Sequence, residues 1–416
     1  MEIRKNTLLA LLILNTLTTA ILAHADNPQP INNVSISTLE YNKQTLAKPL
    51  DDETQLTLDQ AFNESLRLSK TTGLSACVYL PEEGLWSNAL GIDALNAEGS
   101  LNAEGSLNAE GSLNAEGSLN AEGSLNAEGS LNAEGSLNAE GSINNSSITT
   151  SSKFHAGSTG KLATATLVLR LIEQKKFSLD TKIKHWFKNT KQANKITVEH
   201  LLNHTSGLPI HFIDNPSDIT LQDKANRVLN NKLIFKPGRG FTYSNAGYII
   251  LGLILEQEYQ APLSEVIRIH FIESLELNES DVLTSSNKDT ALVNSKNDFD
   301  YSSIGGAGII TSTPCDLIRI LNALLAKKIV NKETLTAMSK IAYPMNYDGT
   351  LYWTRGLMLL DTPFGRVHFL NGKIGDFSSS VIYHSKLNAF ISIMTNDNTT
   401  QTGPILFHFL KTIDKQ

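Results

Sequence analysis

A tract of perfect hexapeptide repeats divides this chain and limits what it can fold into more than any other sequence feature. The unit Leu-Asn-Ala-Glu-Gly-Ser occurs eight times without a substitution over residues 95–142. Each copy has one large apolar side chain and ends in Gly-Ser, which disfavours helix and raises the entropy cost of ordering the chain. The tract therefore predicts a flexible acidic loop. The alternative is a β-solenoid that stacks one leucine per turn face, although eight copies form fewer than about three triangular coils.

The segments on either side of the tract have the pattern of a single domain. Before the tract, residues 74–80 and 85–90 are strand-like runs joined by Pro-Glu-Glu-Gly, which is typical of a hairpin turn. Beyond it, residues 148–154 are again extended. We therefore expect one domain over residues 56–416, opened by a helix and interrupted by the repeats, and an irregular leader at residues 26–55.

The N-terminus contains the three regions of an export signal in order. Two basic residues precede an apolar run at residues 8–22, which ends at Ala23-His24-Ala25. We therefore expect a signal peptide at residues 1–25 and a periplasmic or secreted product. The run of about 15 apolar residues is shorter than the roughly 20 needed to cross a bilayer, and no later stretch is long enough. No membrane span is expected after cleavage.

The charge balance and the cysteine count exclude several classes of protein. The net charge is -7, and without the eight glutamates of the tract it is +1, so a nucleic-acid binder is disfavoured. The two cysteines, Cys77 and Cys315, form no C-x-x-C motif, so neither a zinc ribbon nor an iron-sulfur site is expected. Export permits a disulfide. Because Cys77 lies in an apolar strand and Cys315 at a helix start, the expectation is nevertheless two buried free thiols.

The order of helical and strand-like patterns predicts an α+β fold. Helical spacing of apolar residues recurs in four segments, residues 158–172, 198–202, 246–258 and 317–326. Strand-like runs occupy three segments before a helical tail, residues 365–370, 378–384 and 389–394. Strands at both ends of the domain with helices between them indicate an antiparallel sheet that carries a helical insertion.

Ser158-Thr159-Gly160-Lys161 opens the first of these buried helices. The three-residue spacing places Ser158 and Lys161 on one face of the first turn. A neutral Lys161 amine can take the serine proton if burial and the helix terminus lower its pKa, and the free N–H groups of the turn can stabilise an oxyanion. By itself the motif is weak, because a serine at a helix start is usually a cap.

A second motif, Tyr243-Ser244-Asn245, lies in a turn that leads into another apolar helix. A tyrosine at this place can relay the serine proton. Asn245 adds a hydrogen-bond donor and acceptor that can hold Lys161 and a substrate carbonyl.

At these residues the chain resembles the serine hydrolase family that contains class C β-lactamases, D-alanyl-D-alanine carboxypeptidases and related esterases. Two further segments resemble the family: the I-T-V-E-H-L-L-N-H-T-S-G-L-P run at residues 196–209, and the glycine-rich run at residues 305–313 before a helix. The resemblance implies a β-lactamase/transpeptidase-like antiparallel sheet flanked by helices, with a helical subdomain. It also implies a cofactor-free hydrolase acting on a small-molecule or peptidoglycan-peptide substrate.

The resemblance also implies roles for the motif residues. Ser158 would be the acylated nucleophile, Lys161 its base partner and Tyr243 the group that activates Ser158 and later the deacylating water. Asn245 would position the substrate. The family's third element, Lys-Thr-Gly or His-x-Gly, would correspond to residues 370–372.

That third element departs from the family pattern. Asn371, Gly372 and Lys373 would form the substrate-binding and oxyanion strand, with the Lys373 N–H as an oxyanion donor. Leu370, however, stands where the family has a cation or an imidazole, so a preference for neutral esters or amides over carboxylate-bearing substrates is expected. His368 or Lys373 could replace that group, although a core or surface role for His368 and a solvated Lys373 are the expected alternatives.

Other functions are open on the sequence alone. His200 and His204 have the spacing of metal ligands on a helix, with His211 following, but no H-E-x-x-H accompanies them, and we expect no metal. A non-catalytic binder of cell-wall peptides is one alternative. A surface protein whose function lies in the repeat tract is another. The oligomeric state is open.

Overall fold

The computed structural model describes residues 39, 41–69, 71–91, 106–107, 113–114, 148–212, 219–283 and 301–415. The predicted signal peptide, most of the predicted leader and most of the repeat tract lie outside these residues. Within the tract the structure describes one short antiparallel pair of strands, Ser106–Leu107 and Leu113–Asn114. The flexible loop and the domain boundaries therefore stay predictions.

The helices and strands follow the α+β pattern expected from the sequence. The helices are α1 (Asp52–Ser69), α2 (Lys161–Glu173), α3 (Val198–Leu202), α4 (Leu221–Asn230), α5 (Asn245–Tyr259), α6 (Leu263–Ile267), α7 (Pro314–Leu325), α8 (Lys332–Met338) and α9 (Thr402–Ile413). The strands are β1 (Gly73–Leu80), β2 (Gly84–Gly91), β3 (Ser106–Leu107), β4 (Leu113–Asn114), β5 (Phe154–His155), β6 (Asp281–Val282), β7 (Ile310–Ser312), β8 (Tyr343–Pro344), β9 (Leu351–Trp353), β10 (Met358–Thr362), β11 (Gly365–Ile374), β12 (Phe377–His384) and β13 (Ala389–Thr395).

The first helix begins four residues earlier than its apolar pattern indicates. The Asp51 carboxylate accepts hydrogen bonds from the backbone N–H and the hydroxyl of Thr54, at 3.0 and 2.8 Å. This side-chain cap satisfies a free N–H of the first turn, so the helix starts at Asp52.

An eight-stranded antiparallel sheet forms the centre of the protein, in the order β2-β1-β13-β12-β11-β10-β9-β8. Strands β1, β12 and β13 are buried along their whole length. They show no alternation of buried and exposed residues because helices cover both faces of the sheet.

Helices α7 and α9 lie on opposite faces of this sheet. The Ser380 hydroxyl on β12 bonds to Thr402 at the start of α9, at 2.6 Å. Val381, the next residue of β12, pairs in register with Ser392, which itself pairs with Cys77. Cys77 is bonded to Cys315 of α7. Residues that pair across neighbouring strands share a face of the sheet, whereas adjacent residues of one strand point to opposite faces. Helices α7 and α9 therefore cover opposite faces, and the sheet is the middle of three layers.

Helices α2 and α5 pack against each other beside the sheet. Both are buried over most of their length, as expected for helices with apolar residues on nearly all sides. Within the described ranges, no helix is long and apolar enough to span a membrane.

The expectation of two free thiols is wrong: Cys77 and Cys315 form a disulfide with a Cα–Cα distance of 5.3 Å, although they lie 238 positions apart in the sequence. Cys77 lies on the buried strand β1, and α7 packs across that strand so that Cys315, the second residue of α7, faces it. This packing decides whether the two cysteines pair. The sequence around each cysteine does not show that the other lies beside it.

Candidate active site

Ser158 and Lys161 lie together at the start of α2. Ser158 belongs to a 3-10 turn, Gly157–Gly160, that runs directly into the helix. The Lys161 Nζ is 3.1 Å from the Ser158 Oγ. The spacing of the S-x-x-K motif therefore brings the two side chains into hydrogen-bond contact, as the sequence predicts.

The Lys161 amine is fully buried among uncharged acceptors. Besides Ser158, it contacts the Asn245 Oδ1 at 2.6 Å and the Ala307 carbonyl at 2.8 Å. Burial lowers the pKa of Lys161 to about 7. A neutral amine donates two N–H groups and has one lone pair. If Asn245 and Ala307 accept the two protons, the lone pair is left for the Ser158 hydroxyl.

Tyr243 covers the Lys161 amine and reaches the serine. The Lys161 Nζ lies 5.0 Å from the centre of the Tyr243 ring. Burial raises the pKa of Tyr243, and the nearby Ser158 side chain opposes that rise. Tyr243 is therefore a neutral phenol near pH 7, suited to relay a proton rather than to act as an anionic base.

The H-T-S-G-L-P segment holds the tyrosine turn in place. The Nδ1 of His204 accepts the backbone N–H of Ser244 at 3.0 Å, and the His204 ring lies 4.4 Å from the Tyr243 ring. His204 is fully buried and has a φ of 58°. His200 instead caps α3 through Thr197. The two histidines thus have separate contacts, and among the described residues no group of three or more His, Cys, Asp or Glu could hold a metal.

The Ala307 carbonyl was not singled out in the sequence, although its glycine-rich segment was. A Cβ on Gly308 would lie 2.1 Å from the Gly157 carbonyl oxygen, so only glycine lets this segment approach the 3-10 turn. This close approach presents the Ala307 carbonyl to Lys161.

Strand β11 passes beside Ser158 with its backbone. A Cβ on Gly372 would lie 2.8 Å from the Ser158 nitrogen, and a Cβ on Gly157 would lie 2.9 Å from the Lys373 nitrogen. Pairing of β11 with β10 ends at Phe369, whereas pairing with β12 continues to Ile374. One backbone edge of residues 370–374 is therefore left to face the serine.

The side chains of the third element do not supply the group that the family pattern has there. Leu370 is only 2% exposed and lies in the core with Ala163 and Leu317. His368 is fully buried on the same face of β11, so it is no replacement. The Lys373 amine donates to the Asn398 carbonyl.

Asn371 lies on the opposite face of β11 from Leu370 and Gly372 because side chains alternate along a strand. It pairs in register with Ser380, whose hydroxyl bonds to α9. Among the described residues, no hydrogen bond joins Asn371 to Ser158. Its role in substrate binding stays a prediction.

Comparison with known proteins places these features in a family. The Beta-lactamase family model matches residues 133–411. Penicillin-binding protein 4* of Bacillus subtilis is 25% identical over 285 residues, which cover 60% of this chain and 62% of that protein. This chain therefore spans less than two thirds of that relative's length.

Two solved structures show the same fold. The D-amino acid amidase of Ochrobactrum anthropi SV3 complexed with L-phenylalanine superposes with a TM-score of 0.66 at 20% identity, over 86% of this chain and 98% of that one. The penicillin binding protein of Bacillus halodurans gives a TM-score of 0.63 at 17% identity, over 84% and 98%. The expected β-lactamase/transpeptidase-like fold is confirmed.

Proposed function

This chain belongs to the beta-lactamase family, and we propose that it is a serine hydrolase that forms an acyl-enzyme on Ser158 from an amide or ester. The observation that carries the proposal is the buried Lys161 amine, 3.1 Å from the Ser158 Oγ, with a pKa of about 7. A lysine that is partly neutral near pH 7 is suited to act as a general base.

Acylation proceeds through an oxyanion. The Lys161 lone pair takes the Ser158 proton as the Oγ forms a bond to the substrate carbonyl carbon, and the carbonyl electron pair moves onto its oxygen. The N–H groups of Ser158 and Lys373 stabilise that oxyanion. When it collapses, the bond to the leaving group breaks, and the leaving group takes the proton from Lys161 through Tyr243. For deacylation, a water molecule gives a proton to Lys161 through Tyr243 as its oxygen forms a bond to the acyl carbon. When this second oxyanion collapses, the bond from the acyl carbon to the Ser158 Oγ breaks, the Oγ takes the proton from Lys161, and the acid is released.

The proposed substrates lack a carboxylate beside the scissile bond. A carboxylate in a partly dry cleft must be paired, and Leu370, His368 and Lys373 are not placed to pair it. The named activities of the relatives, penicillin binding and D-amino acid amide hydrolysis, favour an amide or a related acyl compound.

We expect the protein to prefer the neutral member of a matched pair of substrates. The kcat/KM for acetyl-D-alanyl-D-alanine amide should exceed that for the corresponding free acid by about tenfold to a hundredfold, since an unpaired charge in the cleft costs a few kcal/mol. Both compounds have the same scissile bond, so release of the acetyl-D-alanine product can be compared directly. Faster turnover of the free acid would contradict this account of β11.

Export is part of the proposal. Its support is the order of charged, apolar and small residues at 1–25 and the Cys77–Cys315 disulfide, because disulfides persist mainly outside the reducing cytoplasm. N-terminal sequencing of the product from cells should begin at Asp26, and a retained Met1 would contradict it.

Intact-mass measurement tests the proposed function. After exposure to a fluorophosphonate, a p-nitrophenyl ester, a penicillin and a D-Ala-D-Ala peptide, at least one reagent should add one acyl or phosphonyl mass at Ser158. The Ser158→Ala variant should show no addition while its thermal unfolding midpoint is retained.

The same measurement separates the proposal from its alternative. A non-catalytic binder of cell-wall peptides is favoured by the core position of Leu370, and it would bind a peptide without any covalent mass change. Normal labelling of the Ser158→Ala variant would refute the assignment of the nucleophile.

A further inference from the structure

His211 is exposed and lies next to Asn245, on a loop that follows the H-T-S-G-L-P segment. The loop is tied to the start of α5. The Pro209 carbonyl accepts the Ser244 hydroxyl at 2.7 Å, and the Ile210 carbonyl accepts the N–H of Asn245 at 2.8 Å. The backbone of His211 is therefore held beside Asn245.

The hydrogen bonds of Asn245 define which way its side-chain amide points. Its Oδ1 accepts from the Lys161 Nζ at 2.6 Å, so its Nδ2 is turned toward His211 and lies 3.4 Å from the His211 Nδ1. An amide nitrogen donates and does not accept, so the His211 Nδ1 must be the acceptor. The imidazole is then neutral and has its proton on Nε2.

The electrostatic surroundings favour this neutral form. Partial desolvation, followed by the positive charge of Lys161, lowers the pKa of His211. Protonation would place an N–H of the imidazole against the N–H of the amide and break the contact. Within the part of the chain that the structure describes, no other side chain bonds to the Asn245 Nδ2.

Rotation of the Asn245 amide would interfere with the base. If the amide turned by half a revolution, its Nδ2 would face Lys161 and could donate to the lone pair of the neutral amine. That lone pair would no longer be free for the Ser158 hydroxyl. A hydrogen-bond acceptor for the Asn245 Nδ2 on the side away from Lys161 opposes this rotation.

We propose that His211 is a positioning residue that, by accepting a hydrogen bond from the Asn245 Nδ2, holds the Asn245 Oδ1 toward Lys161 and so keeps the lysine lone pair directed at Ser158. The hydrogen-bonded chain of the site thereby extends from the nucleophile through Lys161 and Asn245 to an exposed histidine. This inference rests on the proposed acylation of Ser158.

A matched pair of variants tests the proposal. Asparagine and leucine have nearly the same shape, and only the asparagine oxygen can replace the His211 Nδ1 as an acceptor. The measurements are the second-order rate of fluorophosphonate labelling by intact mass, and kcat and KM for a neutral p-nitrophenyl ester. His211→Leu should lower the labelling rate and kcat by about threefold to tenfold, the effect of one hydrogen bond, with KM unchanged. His211→Asn should recover the wild-type values within about twofold.

The outcomes distinguish this inference from the function on which it rests. A His211→Leu variant as fast as the wild type, or a His211→Asn variant as slow as His211→Leu, overturns the positioning role while Ser158 labelling stands. If the unmodified protein is not labelled at Ser158, the proposed function fails, and the inference fails with it. Both variants should keep the thermal midpoint of the wild type, because the His211 side chain is exposed.

Discussion

Replacement of Lys161 by methionine is expected to slow acylation of Ser158 by about 10²- to 10⁴-fold, the usual contribution of a general base. Methionine keeps the apolar stem that the buried site requires and has no basic nitrogen. In the unmodified protein that nitrogen is the group in contact with the serine oxygen, at 3.1 Å. The rate is measured by intact mass after timed exposure to a fluorophosphonate, with Ser158→Ala as the unreactive reference.

The pH dependence of the same reaction identifies the base. Burial lowers the pKa of Lys161 from 10.5 to about 7. Because the neutral amine is the active form, the acylation rate should rise as the pH increases through about 7 and level off above it. This rise should be absent in Lys161→Met.

An exposed lysine provides the control. Lys176 follows the end of α2, so Lys176→Met removes one positive charge from the same region without touching the cleft. Its rate and pH profile should match those of the wild type. A wild-type profile that stays flat between about pH 5 and 9 would count against Lys161 as the base.

Loss of the disulfide is expected to give the largest change in stability. The Cys77–Cys315 bond closes a loop with a sequence separation of 238 residues. For loops of this length, restriction of the unfolded chain contributes about 5 kcal/mol in the chain-entropy model, and measured losses are about 2–5 kcal/mol. The double variant Cys77→Ala/Cys315→Ala should lower the free energy of unfolding in urea by that amount.

The single variants and a reducing agent complete this experiment. Each single replacement should cost nearly as much as the double one, because either change breaks the same bond. Wild-type protein in dithiothreitol should approach the stability of the double variant. Alkylation of two thiols in denatured, unreduced wild-type protein would show that the disulfide is absent and would refute the prediction.

The local part of the site could be predicted from the sequence because it depends on short spacings. Lys161 follows Ser158 by three positions, and a helical turn places residues at that spacing on one face. The turn before α5 and the hairpin of β1 and β2 could also be predicted, because each is formed by residues that are contiguous in the sequence. The antiparallel α+β architecture followed from the order of these patterns.

Contacts between distant segments could be known only from the tertiary structure. The pKa of Lys161 depends on its burial together with Ala307, 146 positions away, and the disulfide depends on α7 crossing β1. Leu370 faces α2 and α7 because of the register in which β11 pairs with β12.

The division between the two kinds of information has a simple physical cause. Residue spacing sets which side chains share a helical turn or a strand face, so the sequence by itself determined the motifs, the element types and the family resemblance. Desolvation, cysteine pairing and the chain of contacts from Ser158 to His211 arise when separate elements exclude water from the same space. The packing of α2, α5 and β11 around Ser158 decided the arrangement of the site, and the packing of α7 against β1 decided the cysteine pair.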